Sequence, residues 1–161
     1  MMKGRIVGRT VLPFLLGVLI FITSGAHGAE MRKERLTINV GGKSHVISVE
    51  VAETEAQQAY GLMYRKELGR RQGMLFPYKK PRVLTMWMRN TYISLDMVFI
   101  NAAGKIQRIA EATEPLSEEI ISSGVPVIAV LELPAGVAAE LGLKPGHRIM
   151  NKIYFPIKTQ R

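Results

Sequence analysis

Two short runs of alternating apolar and polar residues flank the dipeptide Gly41-Gly42. Leucine, isoleucine and valine alternate with polar residues over positions 36–40, and a second alternation follows over positions 46–51. A period of two is typical of a strand with one buried face, and a Gly-Gly connection is typical of a hairpin. The pattern therefore predicts a β-hairpin.

Short apolar runs recur along the rest of the chain. Two short helices are predicted between these runs. The first begins at Thr54, which forms a capping box with Gln57. The second covers residues 134–141 and is ended by Gly142. Residues 111–124 lack a clean period and are predicted to be a surface loop. Further strands are predicted over residues 74–76, 83–88, 95–100, 105–109, 125–133 and 148–155.

The order of these elements predicts the fold class. Strands and helices do not alternate as they do in parallel α/β folds. Seven or eight short strands and two helices instead predict a mainly β, single-domain antiparallel β-sandwich or squashed barrel with two short helices on the rim. The 161 residues suit one such domain, which we place at residues 30–161.

Residues 1–29 differ in composition from the rest of the chain. Lys3, Arg5 and Arg9 precede an uncharged, mainly apolar run over residues 11–22, and small residues follow. This order is typical of a secretory signal peptide. A retained membrane anchor is the alternative, but such a run spans only about 18 Å of a hydrocarbon core roughly 30 Å thick. We expect cleavage within residues 26–30 and a periplasmic or secreted protein.

The charge balance narrows the expected partners. Removal of residues 1–29 leaves 19 basic and 13 acidic residues. A basic exported domain suits peripheral contact with anionic envelope surfaces. Nucleic acid is not expected as a partner, because the basic residues form no run with interleaved aromatic residues. We expect a monomer.

Several kinds of site are excluded by residue type. The chain has no cysteine, which excludes disulfides, thiolate metal sites and cysteine nucleophiles. Neither His45 nor His147 belongs to a zinc-binding spacing, and no glycine-rich loop matches a phosphate cradle. No cofactor is therefore predicted.

Asp96 interrupts the most apolar predicted strand. A carboxylate there is destabilised by several kcal/mol unless it is paired or hydrogen-bonded. The nearest candidate partners are Arg65, Arg89 and Asn90. One interpretation is a structural tie between two strands, and the other is a polar binding site.

The binding interpretation places a ligand pocket beside the only tryptophan of the chain. If residues 85–91 are extended, Trp87 and Arg89 share one face. Trp87 would stack on a small polar or anionic envelope ligand, with a glycan fragment among the candidates. Arg89 and Asn90 would donate hydrogen bonds, and Asp96 would orient Arg89. The candidate binding residues are Arg65, Trp87, Arg89, Asn90, Thr91 and Asp96.

An envelope hydrolase is an alternative function. Glu132 is a second carboxyl in an apolar strand, and together with Asp96 it would form an acid–base pair. The competing interpretation is two separate carboxyls, with Arg148 or Lys152 as the base that answers Glu132.

A copper binder is a further alternative. Met86 and Met88 would place two thioethers on one side of a strand, and thioethers suit Cu(I). Methionine is also an ordinary filler of irregular cores.

Five linked motifs cover most of the domain. They are GLMYRKEL at 61–68, GMLF at 73–76, WMRNT at 87–91 with LD at 95–96, LELPAG at 131–136, and GLKPG at 142–146. In this order they resemble the uncharacterised family known as domain of unknown function 192, over about residues 36–155. The resemblance implies a compact, mostly β domain that is often exported, and it carries no established reaction.

Three residues depart from the pattern that this family shows. Ser94 replaces a usual proline, Arg89 a usual lysine and His147 a usual aspartate. Arg89 keeps the charge but offers a planar fork of donors, and His147 weakens any role for an acid at that position. Taken with the candidate site, the sequence favours binding over catalysis.

Overall fold

A computed structural model describes residues 31–156, so the predicted signal peptide lies outside the described residues. Neither helix of this described part is long and apolar enough to cross a membrane. The elements are β1 (Arg32–Val40), β2 (Lys43–Val51), α1 (Glu55–Tyr60), β3 (Gln72–Met86), β4 (Leu95–Ile100), β5 (Ile106–Ala110), β6 (Ile121–Pro134), α2 (Val137–Glu140) and β7 (Ile149–Met150).

The predicted hairpin is formed by β1 and β2. The two strands pair antiparallel from Val40 opposite Lys43 to Arg32 opposite Val51. Gly41 and Gly42 have φ angles of 55° and 75°. Two consecutive left-handed residues define the type of turn whose twist matches that of the strands, and glycine adopts it without steric cost.

The strands form one curled sheet in the order β5-β4-β6-β3-β2-β1-β7. The pairs are antiparallel except β2 with β3, whose parallel pairing is made possible by the long crossover through α1. The two edges of the sheet approach each other where Ile149 N–H donates to Gly104 O at 2.8 Å. A Cβ at Gly104 would lie 2.6 Å from the Ile149 oxygen, so this approach requires glycine. The predicted mainly β, barrel-like fold is confirmed.

Apolar residues pack on both faces of the central strands. One core fills the inside of the curl, and a second lies on the outer face of β3, β4 and β6 beneath the loops. All six residues of β4 are buried as a result. This two-sided burial explains why β4 has an apolar run rather than an alternating pattern.

The local predictions hold with three differences. The capping box of α1 is formed, with Gln57 N–H donating to Thr54 Oγ1 at 3.2 Å. The two strands predicted between residues 74 and 88 are one bent strand, β3, which ends at Met86. The predicted last strand is cut to Ile149–Met150, because the Asn151 side-chain oxygen accepts N–H bonds from Ile153 and Tyr154 and turns the chain. Part of the predicted loop at 111–124 belongs to β6.

Candidate functional site

Asp96 is fully buried and bonded to backbone. Its Oδ1 accepts a hydrogen bond from Ala112 N–H and its Oδ2 from Ala138 N–H, both at 2.9 Å. Ala138 lies in the first turn of α2, whose N-cap Gly136 has no side chain to accept such a bond. The Asp96 side chain, which lies on β4, therefore caps the N-terminus of α2. The prediction that Asp96 orients Arg89 is wrong, because backbone donors occupy both of its oxygens.

Arg65 is engaged elsewhere as well. Its Nη1 and Nη2 donate to the two oxygens of Glu50 at 2.8 and 2.5 Å. These bonds lower the pKa of the Glu50 carboxyl and raise that of the Arg65 guanidinium. Arg65 thus fastens the loop after α1 to β2 and does not contact Asp96.

Glu132 lies on the opposite face of the sheet from Asp96. Met97 is the cross-strand partner of Glu132, whereas Asp96 is the partner of Leu133. Side chains of successive strand residues point to opposite faces, so the sheet separates the two carboxyls. They therefore do not form the predicted acid–base pair.

Among residues 31–156, no basic side chain forms an ion pair with the Glu132 carboxyl. Within this part of the chain, neither Arg148 nor Lys152 forms an ion pair with it. Burial raises the pKa of Glu132 to about 8. The side chain packs in the row of outer-face residues that includes Met74 and Met97.

The two methionines proposed for copper do not share a strand face. Met86 is the last residue of β3, and Met88 lies beyond it, buried in the outer core. The Met88 sulfur accepts a hydrogen bond from the Thr113 hydroxyl at 3.1 Å. Within residues 31–156, no cluster of three histidine, aspartate or glutamate side chains is placed to hold a metal ion.

Three loops meet over the outer core and form the candidate functional site, which we call the three-loop surface: residues 60–65, 87–92 and 114–120. Backbone hydrogen bonds join them. Tyr64 N–H donates to Asn90 O at 2.8 Å, Met88 N–H to Ser117 O at 3.0 Å, and Leu116 N–H to Thr91 O at 3.1 Å. The surface is therefore a connected unit rather than three independent loops.

Large apolar side chains project from this surface into solvent. Tyr64 lies between two other tyrosines, with ring centroids 5.9 Å from Tyr60 and 6.0 Å from Tyr92. Clustered exposed apolar groups are typical of interaction sites. The exposed members are Tyr60, Tyr64, Trp87, Tyr92, Leu116 and Ile120, each between 47% and 61% exposed.

The backbone of the three-loop surface is strained. Within residues 31–156, four non-glycine residues have positive φ, and three of them are Tyr64 at 64°, Asn90 at 56° and Leu116 at 63°; the fourth, Ala112, lies just before the third loop. A left-handed conformation costs Tyr64 and Leu116 about 1–2 kcal/mol each, whereas an asparagine such as Asn90 adopts it readily. Such strain clusters at functional sites, where it holds a side chain in a required position.

The structure thus brings together only part of the predicted binding site. Trp87, Arg89 and Asn90 lie in the three-loop surface, and the Arg89 guanidinium is exposed, 3.8 Å from Glu118. Thr91 is buried, with its hydroxyl bonded to Arg89 O at 3.3 Å. Residues 89–90 form a turn, so the assumed extended segment, with its shared face, is wrong.

Sequence reasoning missed the three tyrosines. Tyr64 lies inside the motif at 61–68, Tyr60 precedes that motif and Tyr92 follows the motif at 87–91, and none of the three fits an apolar period. Aromatic residues outside a periodic pattern were the available signal.

The fold and the site together define a class of protein: a small β domain with one curled sheet, in which the exposed aromatic and basic side chains of the candidate site lie in loops. The chain belongs to the family described as domain of unknown function 192, uncharacterized ACR, whose model matches residues 36–151. The predicted family is therefore confirmed. No curated protein matches the chain.

Two solved structures are similar to this chain. A protein of Sinorhizobium meliloti 1021, provisionally described as a transcription regulator, is 43% identical with a TM-score of 0.73, over 75% of this chain and 95% of its own. A protein of unknown function from Novosphingobium aromaticivorans DSM 12444 is 39% identical with a TM-score of 0.73, over 75% of this chain and 86% of its own. Neither description supplies a reaction.

Proposed function

We propose that the protein is an exported, non-catalytic binding module that recognises an envelope glycan through the three-loop surface. The observation that carries the proposal is Tyr64, an exposed aromatic residue held in a left-handed backbone conformation between two further tyrosines. Strain of this kind is retained where a side chain must be presented.

The chemistry of the surface matches that of a sugar ring. The electron-rich face of an aromatic ring attracts the partly positive C–H groups on one face of a pyranose, and rigid tyrosines lose little conformational entropy on binding. Arg89 and Asn90 add donors for hydroxyl oxygens beside the rings. A mixture of aromatic platforms and a few polar groups is therefore available in one place.

Binding is favoured over hydrolysis by the positions of the carboxyls. A glycosidase needs two carboxyl groups about 5–9.5 Å apart that flank the substrate. Asp96 is enclosed by two backbone donors, and Glu132 lies across the sheet from it. The arrangement of these two groups does not support such a reaction.

Replacing Tyr64 by glycine tests the proposal. We expect Tyr64→Gly to reduce cosedimentation with purified peptidoglycan sacculi at least tenfold, because the central ring is lost. The free energy of unfolding should change by no more than about 1 kcal/mol, because glycine relieves the left-handed strain.

Tyr92→Ala should weaken binding in the same assay, whereas Val46→Ala should not. Val46 is 47% exposed on β2, outside the three-loop surface, and is thus a matched control for loss of an exposed apolar group. Sacculi that retain Tyr64→Gly as well as they retain the wild type would contradict a role for this surface in glycan binding.

Export is tested separately. The basic, apolar and small-residue order of residues 1–29 leads us to expect a mature N-terminus between His27 and Glu30. N-terminal sequencing of the protein from its native host measures this. An intact Met1 in a soluble cytosolic fraction would contradict the export proposal.

A further inference from the structure

A cavity of about 930 Å³ lies between β1 and the segment that follows β7. None of the residues that line it belongs to the three-loop surface. Its volume is within the range of small-molecule sites, about 300–1,000 Å³. It is therefore a second candidate site, separate from the proposed glycan surface.

The wall of this cavity is preformed. Asn151 is buried, its side-chain oxygen accepts N–H bonds from Ile153 and Tyr154, and its amide nitrogen donates to Arg35 O at 3.0 Å. Asn151 and Phe155 also exchange backbone hydrogen bonds at 3.1 and 3.2 Å. The turn is thus fastened both to itself and to β1, and a ligand would not have to order it.

The lining combines apolar groups with an uncompensated positive charge. Met150, Ile153, Phe155 and Pro156 supply the apolar part. Among the described lining residues, Lys33, Arg35 and Lys152 are basic and Glu34 is acidic.

Glu34, the one acid among the described lining residues, is already paired. Glu34 lies 3.4 Å from the Arg32 guanidinium and accepts a bond from the Asn151 amide at 3.4 Å. Among the described residues, the exposed side chains of Arg35 and Lys152 form no ion pair. Their charges are thus available to a ligand.

We propose that this cavity binds a single-chain amphiphilic anion from solution. Arg35 presents a planar fork that matches a carboxylate or phosphate, and Lys152 adds a second charge beside it. The hydrocarbon chain packs against Ile153, Phe155 and Met150. The proposal does not depend on glycan binding.

The shape of the cavity favours a free amphiphile over the surface of a bilayer. Binding to a bilayer needs apolar side chains that protrude and insert about 5–10 Å into the interface. Here Phe155 is buried and Met150 half-buried in an open groove, and among the large apolar residues of the described lining only Ile153 protrudes, which suits one hydrocarbon chain better than insertion into a bilayer. Binding to vesicles without binding to the free amphiphile would therefore contradict the proposal.

Titration of the purified protein with dodecyl phosphate, below its micelle concentration, tests the inference. We expect saturable binding by calorimetry, at least tenfold tighter than that of inorganic phosphate or of uncharged dodecyl maltoside. The charged head and the chain should both be required, because each has its own part of the lining.

Charge reversal then locates the site. The double variant Arg35→Glu/Lys152→Glu should raise the Kd for dodecyl phosphate at least tenfold, whereas Lys80→Glu/Lys105→Glu should change it less than threefold. All four side chains are exposed, and only the first pair lines the cavity. Because each variant replaces two basic residues by glutamates, both carry the same change in net charge. Ile153→Asp should also weaken binding, because it places a carboxylate against the chain.

Three results would overturn the inference. The first is absence of saturable binding of dodecyl phosphate. The second is equal weakening by the two double variants, which would indicate a general charge effect. The third is binding to anionic phospholipid vesicles without binding to the soluble amphiphile, which would indicate a membrane surface. Thermal unfolding of each variant verifies that the fold is retained.

Discussion

Asp96→Ala is expected to lower the free energy of unfolding by roughly 2–4 kcal/mol, because the buried Ala138 N–H left without its acceptor costs about 1–3 kcal/mol and the part-buried bond from Ala112 N–H contributes about 0.5–1.5 kcal/mol. The two donors are Ala112 N–H and Ala138 N–H, each 2.9 Å from a carboxylate oxygen. The first turn of α2 also loses the negative charge at its N-terminus. Urea unfolding followed by circular dichroism measures the change.

Asp96→Asn separates shape from hydrogen bonding. The amide keeps one acceptor oxygen but turns an NH₂ donor toward the second backbone N–H, so we expect roughly half of the loss seen for alanine. Glu119→Ala, which removes an exposed carboxylate, should change stability by less than about 0.5 kcal/mol. If Asp96→Ala unfolded at the wild-type urea concentration, the carboxylate would not hold α2 in place.

Glu132→Gln is expected to stabilise the protein at alkaline pH and to have little effect near pH 5. Burial raises the pKa of the folded-state carboxyl from 4.5 to about 8. Between these values the folded protein keeps a proton that the unfolded chain has released. The free energy of unfolding of the wild type therefore falls as pH rises through this window, by about 1.4 kcal/mol per pH unit, and levels off above it.

Glutamine imitates the neutral acid and cannot ionise, so this fall should be absent from Glu132→Gln. The difference in unfolding free energy between variant and wild type should grow by several kcal/mol from pH 5 to pH 8. Glu118→Gln, at a side chain that is 75% exposed, serves as the control and should show no such growth. A pH-independent difference for Glu132→Gln would mean that its carboxyl is ionised in the folded protein at pH 5.

The apolar surroundings of Glu132 in the outer core explain why ionisation of its carboxyl would destabilise the fold. Its cross-strand neighbours on β3 and β4 are Met74 and Met97, both fully buried. Tyr78, whose own pKa is raised by burial, is a nearby titratable group on β3, and Arg82 lies over its ring at 4.8 Å from the centroid. Among residues 31–156 no arginine or lysine forms an ion pair with Glu132, so ionisation would leave its charge without an ion-pair partner.

The positions of the candidate residues show where sequence reasoning was sufficient. The sequence identified the segment of Trp87, Arg89 and Asn90 as distinctive, and these residues lie together in an exposed loop. It also identified Asp96 as a carboxyl that needs partners. Residue type and burial were enough for both inferences, because each concerns a residue and its immediate neighbours in the chain.

The partners of those residues were beyond the reach of the sequence. Ala138 lies 42 positions from Asp96, and its contribution is a backbone N–H, which every residue except proline possesses. Arg65 pairs with Glu50 because the parallel pairing of β2 and β3 places the loop after α1 above β2. Neither contact leaves a trace in local periodicity.

The sequence by itself determined the hairpin and the helix cap, because turn residues and apolar alternation act over a few positions. Its linked motifs identified the family. Only the tertiary structure decided which carboxyl faces which core. Leu133, rather than Glu132, lies opposite Asp96, and a shift of one residue would have placed the two carboxyls on one face. That register depends on how β4 and β6 fit between two cores, and both strands are apolar on both faces, so their composition does not encode it.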